Sequence, residues 1–199
     1  PCKGKLPTEK GWQKRDFDLE DFKPGSNIGL KLVDDVDIDV ETNKSLPFIN
    51  RYIQPCSAIY GRGNRPRSHL LFKGKNKDKQ SIVPGSIIDG DEVKWCIYEG
   101  ISPYPGNILE DVSKVALATA LSILYPSKGD RDDFCYAVAC ILAKNTEWKD
   151  FEIDEFIMLL AESSGDDDLR KNKGTHAHKQ IINGGKIKGV KIPGAMNLA

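Results

Sequence analysis

Apolar and polar positions alternate with a period of two through much of the first hundred residues, then change to a helical period. The clearest alternation interleaves Val36, Ile38 and Val40 with Asp35, Asp37 and Asp39. It predicts a strand whose aliphatic residues enter a core while three carboxylates share the opposite face. Ahead of it, residues 18–22 read as a short helical turn stopped by Pro24-Gly25-Ser26-Asn27, and 28–33 as a strand. Beyond it come a short helix or loop over 42–52, a strand over 57–60, a basic Gly/Pro-broken loop over 61–67, and a strand over 68–72. A lysine-rich loop over 73–79, a strand over 81–88 interrupted at Pro84-Gly85, a hairpin signal at Asp89-Gly90-Asp91 and a return strand over 92–98 follow.

The break is Ile101-Ser102-Pro103-Tyr104-Pro105-Gly106. Past Asn107, Val112, Val115, Ala116, Leu117, Ala120, Ile123 and Leu124 hold one helical face apolar until Pro126. Further helices are predicted over 132–144, over 154–162 with Asp154 near the start, and over 169–182 with an interruption at Gly174. No repeat period of roughly 20–50 residues is visible. The expected architecture is α+β: a domain over 1–104 whose short strands form a mixed sheet, and a C-terminal helical subdomain over 105–199.

A chain of 199 residues can bury one large core or two small ones. Lys plus Arg and Asp plus Glu both number 29, so any nucleic-acid binding must come from local patches. Five cysteines without a Cys-x-x-Cys pair argue against a disulfide framework and a zinc site. Cys135 and Cys140, in an apolar helical run, read as packing residues. With no apolar run of the roughly eighteen residues a membrane span needs and no signal peptide, a reduced, cytoplasmic protein without membrane contact is expected. The start at Pro1, with no Met and no leading element, points to a native N-terminus further upstream.

Carboxylates two apart on a strand lie roughly 6.5–7 Å apart at Cα, a spacing suited to hard divalent cations that also take phosphate oxygens. A calcium loop would need Gly at its sixth position and Glu at its twelfth; counted from Asp35 these are Val40 and Leu46. The competing reading is an edge strand blunted by solvated charge. Arg62, Arg65 and Arg67, followed by Ser68 and His69, can converge on a polyanion.

In order, these segments resemble the bifunctional primase-polymerases of phages, plasmids and CRISPR-associated operons, members of the archaeo-eukaryotic primase superfamily. Gly4-Lys5-Leu6-Pro7 with Gly11-Trp12 looks like the family's opening turn. Asn27-Ile28-Gly29-Leu30 followed by Val36-Asp37-Ile38-Asp39 is similar to the strand pair carrying its Asp-x-Asp metal motif. Gly61-Arg62 through Arg65-Pro66-Arg67-Ser68-His69 looks like its second motif, and Gln80-Ser81-Ile82-Val83-Pro84-Gly85-Ser86 with Trp95 like the segment that closes its site. The likeness covers roughly residues 1–100 well and the helical half more loosely.

The resemblance implies Asp37 and Asp39 as catalytic metal ligands, with Asp35 on the same face as an alternative. It implies His69, Arg67 and Ser68 at the nucleotide's triphosphate, with Arg65 and Arg62 at phosphate or template. It implies a two-metal Mg²⁺ or Mn²⁺ site, dNTP or NTP substrates, a single-stranded DNA template, a primer strand, and helicase or other replication or CRISPR proteins as partners. The expected activity is synthesis of primers de novo and their extension by two-metal nucleotidyl transfer. One departure stands out. The family places a third acid on a strand between the His strand and the Pro-Gly-Ser turn, and here only residues 73–79 intervene, with Asp78 their one acid.

In the helical half, Arg131, Arg170, Lys171, Lys173, His176, His178, Lys179 and the lysines of 186–191 are template-contact candidates or solvated surface. His176 and His178, two apart on a helix, do not make a metal pair. Trp12 and Trp95 read as core rather than stacking platforms. Alternatives are a non-catalytic nucleotide- or single-strand-binding replication or defence module of the same fold, and a two-metal nuclease.

Overall fold

The computed structural model describes residues 1–75, 79–168 and 170–182. It is an α+β chain of two compact units, one made of Pro1–Asn43 and Asn50–Val112, the other of Lys44–Ile49 and the chain from Ser113 onward. No helix among the described residues is long and apolar enough to cross a membrane.

The strands in chain order are β1 (Cys2–Lys3), β2 (Leu6–Pro7), β3 (Gly29–Lys31), β4 (Asp35–Asp39), β5 (Ala58–Arg62), β6 (Arg65–Lys73), β7 (Gln80–Ile82), β8 (Ile87–Ile88) and β9 (Asp91–Tyr98). β1 pairs with β2 and β3 with β7, while the main sheet has the order β4-β6-β5-β9-β8. Every strand pairing among the described residues is antiparallel, where a mixed sheet was expected; the isolated bridge Lys73–Pro103 is parallel. Short connections favour this outcome, because adjacent parallel strands need a crossover of a dozen or more residues. One crossover does exist: β4 and β5 are both antiparallel to β6, so they run in the same direction on either side of it. Helix α1 (Leu46–Tyr52) lies in the connection between them, which makes a split βαβ arrangement.

The basic segment expected as an open loop is a tight hairpin, with β6 beginning at Arg65. Gly61 permits it: a Cβ there would stand 2.1 Å from the Arg65 carbonyl oxygen. The strand expected over 81–88 is split by Pro84-Gly85 between two sheets, and the turn at Asp89-Gly90 joins β8 to β9 as expected.

The acidic strand also differs from expectation. Leu32, Ala58, Tyr60, Leu71, Ile88 and Val93 form a core cluster, and the register Asp37–Leu71 puts Asp37 on that cluster's face. Leu30, Ile82 and Val83, from and beside the β3–β7 ribbon, pack against the cluster. The carboxylate face is therefore partly covered rather than open, whereas Val36 and Ile38 are only half-buried.

The helices of the second half are α2 (Ile108–Ile123), α3 (Arg131–Asn145), α4 (Asp150–Ser163) and α5 (Lys173–Ile182). Helix α3 packs against both α4 and α5. Its Cys135 and Cys140 are fully buried, as packing residues should be, and α4 contributes Ile153, Phe156, Ile157, Leu160 and Ala161 at helical spacing. Helix α4 starts four residues before the expected 154 because Glu152 accepts from the Lys149 backbone N–H at 2.8 Å and caps it. Asp154 then serves a different helix end: its Oδ1 accepts from the Gly174 backbone N–H at 2.7 Å, in the first turn of α5. Gly174 thus opens this helix instead of interrupting one. Its missing side chain lets α5 lie against α4, since a Cβ would sit 2.4 Å from the Asp150 carbonyl oxygen. Gly174→Ala is expected to destabilise the helical unit by about 1–3 kcal/mol, as overpacking does. A urea titration followed by helical circular dichroism would measure it, and an unchanged midpoint would refute the close-packing account.

Candidate functional site

Strands β4, β6 and β5 place Asp39 opposite His69 and His69 opposite Tyr60. The His69 Nδ1 lies 2.9 Å from Asp37 Oδ2, and its Nε2 lies 3.9 Å from Asp39 Oδ1, so the imidazole stands between the two carboxylates. The Tyr60 ring stacks on it, with centroids 4.7 Å apart and planes 7° from parallel. Ser81 of β7 donates to Asp37 Oδ2 and accepts from the Tyr60 hydroxyl, whose oxygen lies 3.4 Å from the same carboxylate oxygen. Burial, then the charge of Asp37, pushes the Tyr60 phenol far up, so its hydroxyl remains a donor.

Asp37 is consequently lopsided. Its side chain is only 8% exposed. His69, Ser81 and Tyr60 all gather at Oδ2, while Oδ1 is buried with no hydrogen-bond partner. A charged oxygen left this way is costly, so such a group calls for an explanation such as an ion that belongs there. It also decides against the blunted-edge reading. Strand β4 does lie at the sheet edge, but an acid whose task is to be solvated would not be enclosed and held by a His, a Tyr and a Ser. Asp39 is more open, its side chain 47% exposed. Burial raises its pKa, Glu41 and Asp37 add to the rise, and His69 and Lys5 offset part of it.

A cleft beside this pair is lined by Lys5, Asp39, Glu41, Arg62, Arg65, Ser68 and His69, among others. Arg62 Nη1 donates to the Ile88 carbonyl at 2.8 Å and pairs with Asp89 at 3.2 Å. Arg65 Nη1 donates to the Glu41 carbonyl at 2.9 Å. Each guanidinium is steadied through one nitrogen and retains donors for an anion. Ser68 is buried and its carbonyl accepts from Val40 N–H at 2.7 Å. Arg67 is exposed and is not among the lining residues. Asp35 does not join the pair as an alternative ligand, because Lys73 Nζ holds its Oδ1 at 2.7 Å.

Two carboxylates suit Mg²⁺ or Mn²⁺, which favour oxygen ligands and are often bound by one or two carboxylates plus substrate phosphates. Among the described residues no group of three or more His, Cys, Asp or Glu is gathered as a metal cluster. Asp78 and residues 186–191 lie outside the described residues.

The helical half uses several of its expected template contacts internally. Arg131 and Arg170 pair with Asp166 at 3.1 and 2.7 Å, Lys173 pairs with Asp132 at 2.5 Å, and His178 lies 2.5 Å from Asp150. Lys171, His176 and Lys179 are exposed. Trp95, expected in the core, is 39% exposed. Tyr60 and Ser81 could not be picked out from the sequence as partners of Asp37, because their meeting depends on which strand of which sheet covers the acid. The chain matches no protein-family model, no curated protein and no solved structure with which it was compared.

Proposed function

We propose that the first unit is the catalytic core of a metal-dependent, template-directed primase-polymerase of the archaeo-eukaryotic primase type. The observation that carries this reading is the half-satisfied Asp37 carboxylate, aligned by His69 and Ser81 and set beside Asp39 and a cleft of cationic side chains. The split βαβ arrangement that presents the two acids and His69 on neighbouring strands is consistent with it.

Asp37 Oδ1 and Asp39 would hold the divalent ion, which when bound lowers the pKa of the attacking 3′ hydroxyl and neutralises phosphate charge. His69, Ser81 and Tyr60 fix the direction of Asp37, as groups behind a metal ligand do. The Asp37 contact sets the His69 tautomer with the proton on Nδ1, leaving Nε2 toward Asp39 and the cleft. Arg62, Arg65 and Lys5 line the cleft and would bind the triphosphate and stabilise charge as it moves onto the leaving pyrophosphate.

The test is incorporation of labelled dNTP and NTP on a single-stranded circular template, with and without primer, in Mn²⁺ and Mg²⁺. Primer-independent product that disappears in the Asp37→Ala/Asp39→Ala variant is expected. Equal synthesis by the variant would overturn the reading. The short segment 73–79, standing where the primase-polymerases carry the strand with their third acid, favours one alternative, a non-catalytic single-strand-binding module. Template binding that survives EDTA, with no incorporation under either metal, would select that alternative.

A further inference from the structure

Strand β9 carries a bulge that the candidate site does not use. Ile59 faces Ile97 but Tyr60 faces Trp95, so Cys96 is an extra residue on β9. Side chains on a regular strand alternate, and Trp95 and Tyr98 would lie on opposite faces; the inserted residue brings both onto the face of their partners Tyr60 and Ala58. The result is a run of rings across the sheet. His69 stacks on Tyr60, Trp95 meets the edge of Tyr60 at 5.3 Å, and Tyr98 lies 4.4 Å from Trp95. Tyr60 is fully buried and the His69 side chain 23% exposed, whereas Trp95 is 39% and Tyr98 57% exposed.

We infer that Trp95 and Tyr98 form a stacking platform for the bases of a single-stranded nucleic acid passing the candidate site, an inference that rests on the template-directed reading above. Three inter-strand spacings separate β4 from β9, about 14 Å in all, which keeps the platform outside the reacting centre but near it. The ring chain connects it to His69. Two adjacent rings match one or two bases and supply sequence-tolerant π-surface. They are too little for a protein interface, which covers about 800 Å² on each partner.

The test uses fluorescence anisotropy of a labelled oligodeoxythymidylate in EDTA, so that binding is read without metal or incorporation. The probe is compared with an abasic oligonucleotide carrying the same phosphates. Trp95→Leu/Tyr98→Leu keeps apolar bulk and removes both π-faces, and Trp95→Phe/Tyr98→Phe keeps the faces. The Leu pair is expected to bind oligodeoxythymidylate about tenfold or more weakly, with the Phe pair near wild type and abasic binding equal in all three. Equal oligodeoxythymidylate affinity across the three proteins would overturn the platform, even if incorporation proceeds normally. So would a wild-type dimer that the Leu pair turns into a monomer, because the rings would then be a self-association edge. If ring-dependent binding is found in a wild type that incorporates no nucleotide, the platform stands and the polymerase reading fails. Should the Leu pair melt early, Tyr98→Leu alone, at the most exposed ring, carries the same prediction with a smaller loss.

Discussion

Asp37→Asn is expected to lower nucleotide incorporation by about three orders of magnitude or more while leaving the fold intact. The amide retains a carbonyl oxygen for the donors of His69 and Ser81. What it removes is the charge on the unpartnered oxygen, which it replaces with an N–H donor that cannot hold a cation. Several kcal/mol of charge stabilisation vanish with the ion, and each ~1.4 kcal/mol is a factor of ten in rate. A second readout needs no turnover. In wild type, Mn²⁺ at a hundredfold excess over its dissociation constant should add about 2.7 kcal/mol to stability and raise the melting temperature by several degrees. Asp37→Asn should melt at the same temperature with and without Mn²⁺. A variant that still incorporates nucleotide, or still responds to Mn²⁺, would show that Asp37 is only a structural partner of His69. The Mn²⁺ effect should also fade on acidification, because burial has already raised the Asp39 pKa and protons compete with the ion there.

The alternation of Asp35, Asp37 and Asp39 made the acidic strand legible, and the Gly- and Pro-bounded runs made its neighbours legible, because strand period and turn chemistry are local properties. Which acids share a task is not local. All three point to one face, yet Lys73 on β6 captures Asp35 while Tyr60 and Ser81, from two other strands, enclose Asp37. That division follows from register and from the β3–β7 ribbon lying over the face, neither of which is written in residues 35–39. The Arg62–His69 run was legible as a basic segment ahead of a strand; that Arg62 and Arg65 line the cleft while Arg67 does not was not legible. In the helical half the apolar spacing located the helices. The use of Asp154, Arg131 and Arg170 was hidden, because each is bound to a partner on another segment.

Asp166→Ala is expected to be the most damaging substitution in the helical unit, costing about 3–5 kcal/mol, the range for removing one partner of a buried ion pair. The Asp166 side chain is 1% exposed and is bound on all sides. Arg170 Nε lies at 2.7 Å, Arg131 Nη1 at 3.1 Å, the Tyr125 hydroxyl donates at 2.7 Å and the Asp168 backbone N–H at 3.2 Å. Arg170 is itself 10% exposed, so truncating Asp166 strands a guanidinium whose remaining carboxylate partners among the described residues are the exposed Asp132 and Asp168. Burial alone would raise the Asp166 pKa, but the donors of Arg170, Tyr125, Asp168 and Arg131 together hold it well below the usual carboxylate range. The sign of the pH dependence follows from that depression. The unfolded chain binds the proton first, so the contribution of Asp166 is complete above about pH 4, the ordinary aspartate value, and is lost as pH falls from there toward the folded value. Urea titrations of the helical circular dichroism signal should therefore show wild type losing stability below about pH 4 and the Ala variant losing distinctly less. Parallel pH profiles for the two proteins would mean that acid unfolding of this unit is governed by other carboxylates. Arg170→Met, which removes the buried cation and keeps much of its bulk, should cost less than Asp166→Ala, because Asp166 retains Arg131 and Tyr125.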